Sequence, residues 1–439
     1  MADSKVAPQR FGLRRCCGHR GVLQPQKIAF SEVEKQYRHH GTLRTLRGQA
    51  TQQSTVKIMS AASDELTVDC IDLANGNIVL FAMVAGLPGK RPIYVKTIDA
   101  TLHGLHPENP GSNITLQQLN MLTATQVNVA QCASNAAIIK TLRAKPTLTP
   151  DEETQLDALL VYNAAVDAHF HTCKYVSFVQ DCLGINNIND QNFLVSLHNV
   201  PGVDNAWFTG SYMVYCNGDK MFRCLAMAAD VCGHELGHGI VANFCGLEYK
   251  GHAGALNESY ADIFGTAFQF FLANKCGVGQ FDWTIGEDVD KYGYLRSMSN
   301  PEAKQQPSRF RGEYWADPNS NQDFGGVHQN SGVGNECFYQ ACQLSSSDVL
   351  DMLTVFFNCL KSMSPQATFL DYRDCLKKAV QSKPAPLQEG ITTVLNNIGL
   401  DAAAISDWTP MRRLADTPKM RKRVAEKPKE RKRVKKGSE

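Results

Sequence analysis

A five-residue motif, HELGH, places His234, Glu235 and His238 at a spacing that suits metal chemistry. In a helix, positions i and i+4 lie on one face, so both imidazoles can reach the same ion. Glu235 would lie beside the open coordination position, where a carboxylate can take a proton from a bound water molecule. The motif therefore predicts a zinc centre that activates water for hydrolysis.

A catalytic zinc ion takes three protein ligands and leaves one position open. The next predicted helix offers Glu258, twenty residues after the second histidine of the motif. Asp262, one turn further on the same face, can accept the other ring N–H of a ligand histidine and fix its tautomer. Asn257 is expected to give similar support. The metzincin pattern is excluded, because it needs a glycine and a histidine where this chain has Val241 and Phe244.

The elements that must position these residues follow from sequence periodicity. The two ligand-bearing segments are strongly helical, and Gly246 permits the tight turn that brings them together. Segments rich in β-branched and aromatic residues precede them, whereas the remainder to about residue 400 is mostly helical, with polar loops around 300–325. The predicted elements are strands at 78–81, 93–96 and within 193–217, a helical hairpin over 112–160 broken at 146–150, and helices at 161–183, 224–245 and 257–275.

Charge is strongly segregated along the 439 residues, although the net charge is only +2. Residues 1–57 and 419–439 each hold eleven Lys or Arg against three acidic residues, a net of +8 apiece, which leaves −14 for 58–418. We therefore expect four regions: a basic arm or pro-segment (1–64), an N-terminal lobe ending in the zinc-binding helix (65–245), a helical C-terminal lobe (246–400) and a basic disordered tail (401–439).

Amino-acid composition limits the class of protein and the cellular compartment that we expect. Apolar residues make up 43% of the chain, and no run of eighteen apolar residues suggests a membrane span. The first twenty residues lack the apolar core of a secretory signal. The fifteen cysteines are odd in number and scattered, which favours free thiols in a reducing compartment over a disulfide framework. We expect a cytoplasmic or nuclear protein rather than a secreted one.

With these motifs in place, the sequence resembles the thermolysin family, whose zinc site uses two histidines and one glutamate. The resemblance runs from about residue 167 to 400, is weaker over 66–166 and is absent at both ends. It rests on DNAWF at 204–208, MVY at 213–215, LRSMSNP at 295–301 and DFGGVHQNSG at 323–332. It implies an α+β fold of two lobes, β-rich and then α-helical, with the zinc cleft between them. It also implies endopeptide hydrolysis.

The resemblance further implies roles for individual residues. The Asn205 side chain and the Ala206 carbonyl would hold the substrate backbone, and Arg296 would bind a substrate carbonyl. An oxyanion forms when water attacks a peptide carbonyl, and preorganised donors stabilise it. The donors would be His328 and Tyr249, with Asp323 orienting the histidine. An apolar pocket for the side chain after the scissile bond would be lined by Phe222, Leu225, Val231, Ile285, Val289 and Leu295, although these residues could equally be core.

The resemblance also implies a second metal site, one that binds calcium. Its carboxylates would be Asp230, Asp282, Glu287 and Asp288, and calcium prefers six to eight oxygen ligands. The family's bridging glutamate is replaced by Gln269 here, so we expect at most one calcium ion, or simply a solvated acidic cluster. Gly237, between the zinc ligands, is another departure that weakens the helix.

Two alternatives remain beside the peptidase. One is a catalytically silent peptide-binding protein on the same scaffold, although Glu235, Glu258 and His328 are all present. The other is a nucleic-acid-binding protein with a structural central domain. The basic tail carries RKRV at 421–424 and 431–434 without interleaved aromatic residues. It would bind nucleic acid or an import receptor, or be a plain solvated tail. The expected partners are otherwise peptide or protein substrates, with no membrane.

Overall fold

The computed structural model describes residues 52–400, apart from 74, 106–113, 189–191 and 345–347. The basic tail at 401–439 and the first 51 residues of the expected arm lie outside this part. Eleven strands are present in it: β1 Gln52–Met59, β2 Glu65–Asp72, β3 Asn77–Val79, β4 Phe81–Val84, β5 Ile93–Asp99, β6 Gln126–Asn128, β7 Phe193–Val200, β8 Ala206–Phe208, β9 Met213–Cys216, β10 Thr284–Ile285 and β11 Arg296–Ser297.

The strands form three sheets, two of which build the N-terminal lobe. A four-stranded antiparallel sheet has the order β1-β2-β3-β6, and a five-stranded mixed sheet has the order β4-β5-β7-β9-β8. In the mixed sheet β7 is parallel to both β5 and β9, whereas β4 and the short edge strand β8 are antiparallel to their neighbours. The third sheet is the small β10-β11 pair.

Strand β1 corrects one expected boundary. It lies inside the range 1–64 that was assigned to a basic arm, yet all eight of its residues pair with β2. The neighbouring strand alternates buried and exposed positions through Leu66, Val68 and Cys70, which packs one face of the sheet on the core. The folded sheet therefore reaches back to residue 52, thirteen residues before the expected start of the lobe at 65.

Nine helices occur in the described residues: α1 Leu116–Met121, α2 Val129–Arg143, α3 Pro150–Leu183, α4 Ala229–Phe244, α5 Gly251–Phe271, α6 Asp323–Leu344, α7 Val349–Leu360, α8 Phe369–Val380 and α9 Ala385–Asn397. Short 3-10 turns occupy Thr101–His103, Leu225–Met227 and Pro301–Lys304, and a π turn, Leu272–Cys276, extends α5. The mostly helical C-terminal half is as predicted.

Helix α3 differs from its prediction, because two expected helices are one. The break at 146–150 is present, and Thr149 opens the helix with a capping box to Glu152. Pro150 stands at the first position, where its missing N–H costs nothing. Nothing then interrupts the helix before Gly184 at φ 67 ends it, so it runs 34 residues without a boundary near residue 161.

The two ligand-bearing helices also have corrected limits. Helix α4 begins at Ala229 rather than at 224, because residues 225–227 form a 3-10 turn first. Helix α5 begins at Gly251, six residues before the expected start. Both are largely buried and pack against each other in the centre of one continuous hydrophobic core. Within the described residues, no helix is both long and apolar enough to cross a membrane.

Candidate metal centre and active site

The zinc-ligand residues predicted from the motif come together at the crossing of α4 and α5. The Nε2 atoms of His234 and His238 lie 3.1 Å apart. Glu258 reaches them from α5, with carboxylate oxygens 3.5 Å from Nε2 of His234 and 3.6 Å from Nε2 of His238. In the part of the chain that the structure describes, this is the one group of histidine, cysteine and carboxylate ligands spaced to hold a metal ion.

Two observations indicate that these three residues fit a zinc ion: the chemistry of their ligand atoms, and a carboxylate oxygen that lacks a hydrogen bond. Oε2 of Glu258 is buried without a hydrogen-bond partner in the described structure, which is costly for a carboxylate oxygen. A cation between the two imidazoles and this oxygen would satisfy all three. Two histidine nitrogens with one carboxylate, leaving a position open, is a zinc-catalytic set.

The protonation states of His238 and Glu258 favour the same conclusion. At His234, burial would lower the pKa, but the adjacent Asp262 outweighs it and raises that pKa. Burial lowers the pKa of His238 to about 4, so its imidazole is neutral at physiological pH. Burial alone would raise the pKa of Glu258, but the nearby His238 and His328 outweigh it and hold the pKa at about 2. Neutral imidazole and ionised carboxylate are the forms that bind metal.

A second layer of polar groups fixes both ligand histidines. Nδ1 of His234 lies 2.8 Å from Asp262, and Nδ1 of His238 lies 2.8 Å from the side-chain oxygen of Asn257. Both supports were predicted. They leave each Nε2 turned toward the ion position, because the tautomer is set by the partner of the other nitrogen.

Asp262 is itself held by two further residues. Arg296 donates to it from Nε over 2.9 Å and from Nη2 over 2.6 Å, and Asn335 on α6 donates over 2.8 Å. Burial would raise the pKa of Asp262, yet Arg296 and His234 together lower it well below its usual range. Arg296 thus lies at the centre as predicted, and its bidentate pair with Asp262 fixes the orientation of its guanidinium group. Its role toward substrate stays a prediction.

Glu235 lies one residue along α4 and is not part of the ligand cluster. Its Oε2 accepts a hydrogen bond from the backbone N–H of Phe208, at the end of β8, over 3.0 Å. Burial raises the pKa of Glu235 to about 7. A carboxylate with a pKa near neutrality can both take up and release a proton.

Three residues, Asp323, His328 and Tyr249, form a hydrogen-bonded chain that leads to the ligand Glu258. Asp323 lies 2.5 Å from Nδ1 of His328 and also accepts from its backbone N–H over 2.9 Å. Nε2 of His328 lies 3.0 Å from the hydroxyl of Tyr249, which in turn donates to Glu258. These are the predicted oxyanion donors and the carboxylate that orients one of them.

Residues 324–326 before this histidine all have positive φ, so the regular part of α6 starts after Gly326. There Asp323 accepts from the first free N–H groups of the helix, those of His328 and Gln329. The same side chain therefore caps the helix and orients the imidazole.

Three of the predicted pocket residues, Val231, Ile285 and Leu295, lie close together beside Arg296. Ile285 pairs with Arg296 across β10 and β11. Gly286 stands between Leu295 and Val231, both within 4 Å of where its Cβ would lie. Phe222 is bridged to Asp290, next to Val289. Leu295 is half-buried, whereas buried apolar side chains are contributed by Phe222, Leu225, Val231, Ile285 and Val289.

The predicted substrate strand is the edge of the five-stranded sheet. Asn205, at its start, is exposed, and Ala206 pairs with Tyr215 of β9. Asp204 has a role that the sequence did not reveal. Its carboxylate accepts four backbone N–H bonds, from residues 219 to 222, over 2.6–3.0 Å. It thereby fixes the turn that places Phe222 beside the strand.

The predicted calcium carboxylates lie near one another, and three of the four accept hydrogen bonds from groups of the protein itself. Asp230 accepts from the N–H of Gly286 over 2.5 Å, and Gln269 donates to Glu287 over 2.6 Å. Asp282 accepts from the N–H of Thr284 over 2.7 Å. Burial and repulsion from Glu287 raise the pKa of Asp230. A cavity of about 500 Å³ is lined by Asp282, Glu287, Asp288, Gln269 and Arg143, among others.

Sequence reasoning missed Asn335 and Gln306 as well as Asp204. Gln306 donates to the carbonyl of His328 over 2.6 Å, and Asn335 is fully buried against Asp262. Neither residue belongs to a local sequence motif, because each bonds a residue that is distant in the sequence. The one available signal was the NSG run after His328, which marks α6 as polar where it faces the centre.

Comparison with known proteins agrees with this geometry. The family described as "Thermolysin metallopeptidase, catalytic domain" matches residues 105–242, and "Thermolysin metallopeptidase, alpha-helical domain" matches 245–390. Neutral protease NprE of Bacillus pumilus is 30% identical over 273 residues, 61% of this chain and 84% of that protein. Bacillolysin of Bacillus cereus is 35% identical over 235 residues, 51% of this chain and 40% of that protein.

Among solved structures, "Precursor of Protealysin, Metalloproteinase from Serratia proteamaculans" has a TM-score of 0.51 at 24% identity. It covers 73% of this chain and 90% of that one, and it supports the fold. The fold and site define a two-lobed α+β protein of the metallopeptidase class, as predicted. The chain belongs to the thermolysin metallopeptidase family. It spans less than half the length of the Bacillus cereus bacillolysin.

Within the described residues, no two cysteines are joined by a disulfide bond.

Proposed function

We propose that this chain is a zinc-dependent endopeptidase that cleaves peptide bonds on the N-terminal side of hydrophobic residues. The observation that carries the proposal is the convergence around one point. Two Nε2 atoms and an unpartnered Glu258 oxygen meet there, with buried Glu235 adjoining and the Tyr249–His328 pair facing them. Residues suited to binding a metal, transferring a proton and stabilising an oxyanion thus share one cleft.

When bound, zinc lowers the pKa of a water molecule and polarises the scissile carbonyl. His234, His238 and Glu258 would hold it. Glu235 takes the proton of the attacking water and then gives it to the leaving amine. Its pKa of about 7 balances these two tasks.

The oxyanion that forms is stabilised by donors already in place. Asp323 binds Nδ1 of His328 and so orients the ring, which donates from Nε2 when that nitrogen carries a proton. Tyr249 donates its hydroxyl proton to the same oxygen once it is released from Glu258. His328 is held by Asp323 before the reaction and so needs little reorganisation at the transition state, whereas Tyr249 exchanges its bond to Glu258 for one to the oxyanion.

Substrate would bind as an added strand along β8, the sheet edge that begins at Ala206. The Asn205 side chain and the Ala206 carbonyl are proposed to hold its backbone, and Arg296 a carbonyl near the pocket. The apolar lining at Val231, Ile285 and Leu295 supports a preference for Leu, Phe, Ile or Val after the scissile bond.

Zinc content and peptide hydrolysis, measured side by side on purified variants, test the proposal. Glu235→Gln keeps size and hydrogen-bonding capacity but cannot take a proton, so it should retain about one zinc per chain and lose about 10²–10⁴-fold in rate. His238→Ala and Glu258→Ala should lose zinc and activity together. Wild-type rates in Glu235→Gln would contradict the mechanism. A zinc-loaded wild-type protein that binds peptide without cleaving it would instead favour the catalytically silent alternative.

Three further proposals rest on the sequence. The part of the expected arm that precedes strand β1 would act as a pro-segment, within the range 1–64 that the sequence suggested. The basic tail would bind polyanions or an import receptor, in a cytoplasmic or nuclear protein. Deleting 419–439 should reduce heparin retention without changing peptidase activity; unchanged retention would refute the proposal for the tail.

A further inference from the structure

Phe324 is an aromatic residue in an unusual place. Its side chain is 62% exposed, and its backbone has φ 49, a left-handed conformation that bulky residues rarely adopt. Contacts of the two neighbouring residues hold the backbone of Phe324 in this conformation. Asp323 is anchored to the start of α6, and Gly325 lies so close to Pro318 that a Cβ would be 2.3 Å from its carbonyl oxygen. The loop therefore presents Phe324 to solvent and cannot readily turn it inward.

The exposed ring adjoins the proposed oxyanion donors. Phe324 packs edge-on against Tyr249, with ring centroids 5.7 Å apart and planes at 66°. Tyr249 is itself 40% exposed and bonds both Glu258 and His328. The two rings form one apolar surface that extends outward from the metal centre. An exposed aromatic surface of this kind suits an apolar or aromatic side chain of a bound peptide.

The surface and the apolar pocket adjoin different ligand histidines. Arg296, which adjoins that pocket, has Nη2 3.4 Å from Nδ1 of His234. Tyr249 instead lies beside the other ligand, with its ring 6.3 Å from that of His238. The pocket thus lies nearer to His234 and the Tyr249–Phe324 surface nearer to His238. If the pocket takes the residue after the scissile bond, the aromatic surface faces the residues before it.

We propose that Phe324 is a specificity-determining residue, which binds an apolar side chain at one of the two substrate positions preceding the scissile bond. The proposal rests on the peptidase function proposed above, because that function assigns the pocket to the residue after the scissile bond and so decides which part of the peptide meets Phe324. It does not depend on turnover, however, since selective binding alone would reveal it.

Paired peptides give the test. They share Leu after the scissile bond and carry Phe or Gly at each of the two preceding positions. Two readouts are taken: kcat/KM with the zinc-loaded enzyme, and Kd with zinc-loaded Glu235→Gln. Wild type should favour the Phe peptide, and Phe324→Ala should reduce the Phe-to-Gly ratio about two- to tenfold, the range for one aromatic contact. The change should fall on KM and Kd rather than on kcat.

Three further variants separate recognition from structure. Phe324→Tyr keeps the ring and should keep the ratio. Phe324→Asn suits the left-handed backbone, so it should retain or raise the melting temperature yet lose selectivity. Tyr314→Ala is the matched control, since Tyr314 is an exposed aromatic at φ 65 without a ring contact to Tyr249 in the described structure. It should leave the ratio unchanged.

The outcomes are distinguishable. Equal losses for both peptides in Phe324→Ala, or the same change in Tyr314→Ala, would overturn this inference and leave the peptidase intact. A zinc-loaded wild-type enzyme that hydrolyses neither peptide would refute the proposed function. The Kd ratio would then still decide whether Phe324 recognises an apolar side chain.

Discussion

Asp262 accepts a hydrogen bond from Nδ1 of His234 over 2.8 Å and so joins the metal centre to the rest of the cleft. The same carboxylate receives Arg296 from β11 and Asn335 from α6. Four elements of the structure therefore meet at one fully buried charge, and each fixes the others. A change at Asp262 should affect metal binding and the orientation of Arg296 together.

The first prediction is that Asp262→Asn lowers zinc affinity about 10- to 100-fold, as is typical when the partner of a ligand histidine is lost. The amide keeps the size of the side chain but removes the charge that faces Arg296. The measurement is zinc affinity by chelator competition. Asp351→Asn, at an exposed helical position, is the control. Equal affinities in both variants would mean that Asp262 does not tune the ligand.

The metal centre could be predicted from the sequence because its geometry is local. Histidines four residues apart share a helix face, and Glu258 with Asp262 repeats that spacing on the next helix. Asn335 and Asp204 could not be predicted, because each acts on a residue brought near only by the fold. Strand β1 was missed because a basic segment resembles a solvated arm until its pairing with β2 is known. Helix α3 was divided because periodicity alone does not show that a helix continues.

The second prediction concerns Asp323. Asp323→Asn can still cap α6 but cannot stabilise a positive charge on His328. Turnover should fall on the order of 10- to 100-fold, less than the roughly 10²–10³-fold typical of losing an oxyanion donor outright. Zinc content and KM should change little. Steady-state kinetics beside His328→Ala provide the check, and an unchanged kcat would show that the carboxylate only caps the helix.

The third prediction is a pH dependence of stability that originates at Asp167. This carboxyl group is fully buried on α3, and burial raises its pKa to about 7, although the N–H of Ala61 bonds it over 2.8 Å. The folded state therefore holds a proton that the unfolded chain releases near pH 4. The stabilisation is present below pH 4 and is lost as the pH rises toward 7, by up to roughly 1.4 kcal/mol per pH unit.

Asp167→Asn should remove this contribution. Unfolding by denaturant at pH 5 and pH 8 should show a smaller loss of free energy at the higher pH in the variant than in wild type. Parallel pH profiles for the two proteins would contradict the prediction.

The fourth prediction concerns calcium, for which we propose at most one site, involving Asp282, Glu287 and Asp230. Binding to the native state alone stabilises by about 2.7 kcal/mol at one hundred times Kd. A calcium-selective chelator, with zinc kept constant, should lower the melting temperature and increase self-digestion. Asp282→Asn should abolish the response. A melting temperature indifferent to calcium would instead mean that Gln269 and Thr284, which already bond Glu287, satisfy the carboxylates.

The last prediction concerns the close packing of α4 on α5. A Cβ on Gly265 would lie 2.4 Å from the carbonyl oxygen of Asp230 and 3.1 Å from the backbone nitrogen of His234. A Cβ on Gly237 would lie 3.0 Å from that of Phe264. The two helices therefore approach through glycine, and this approach lets Glu258, two turns before Gly265, reach the histidines.

Gly265→Ala should push the helices apart even though the added methyl group meets only backbone atoms and no ligand side chain. Helix propensity alone would favour alanine by about 1 kcal/mol, but overpacking of this kind typically costs about 1–3 kcal/mol. We expect lower stability and weaker zinc binding, with Gly237→Ala showing the same effects to a smaller extent because its neighbouring atoms are side chain as well as backbone. Chemical unfolding and zinc competition on both variants provide the measurement. If Gly265→Ala were more stable than wild type, or bound zinc equally well, the spacing of these helices would not control the metal centre.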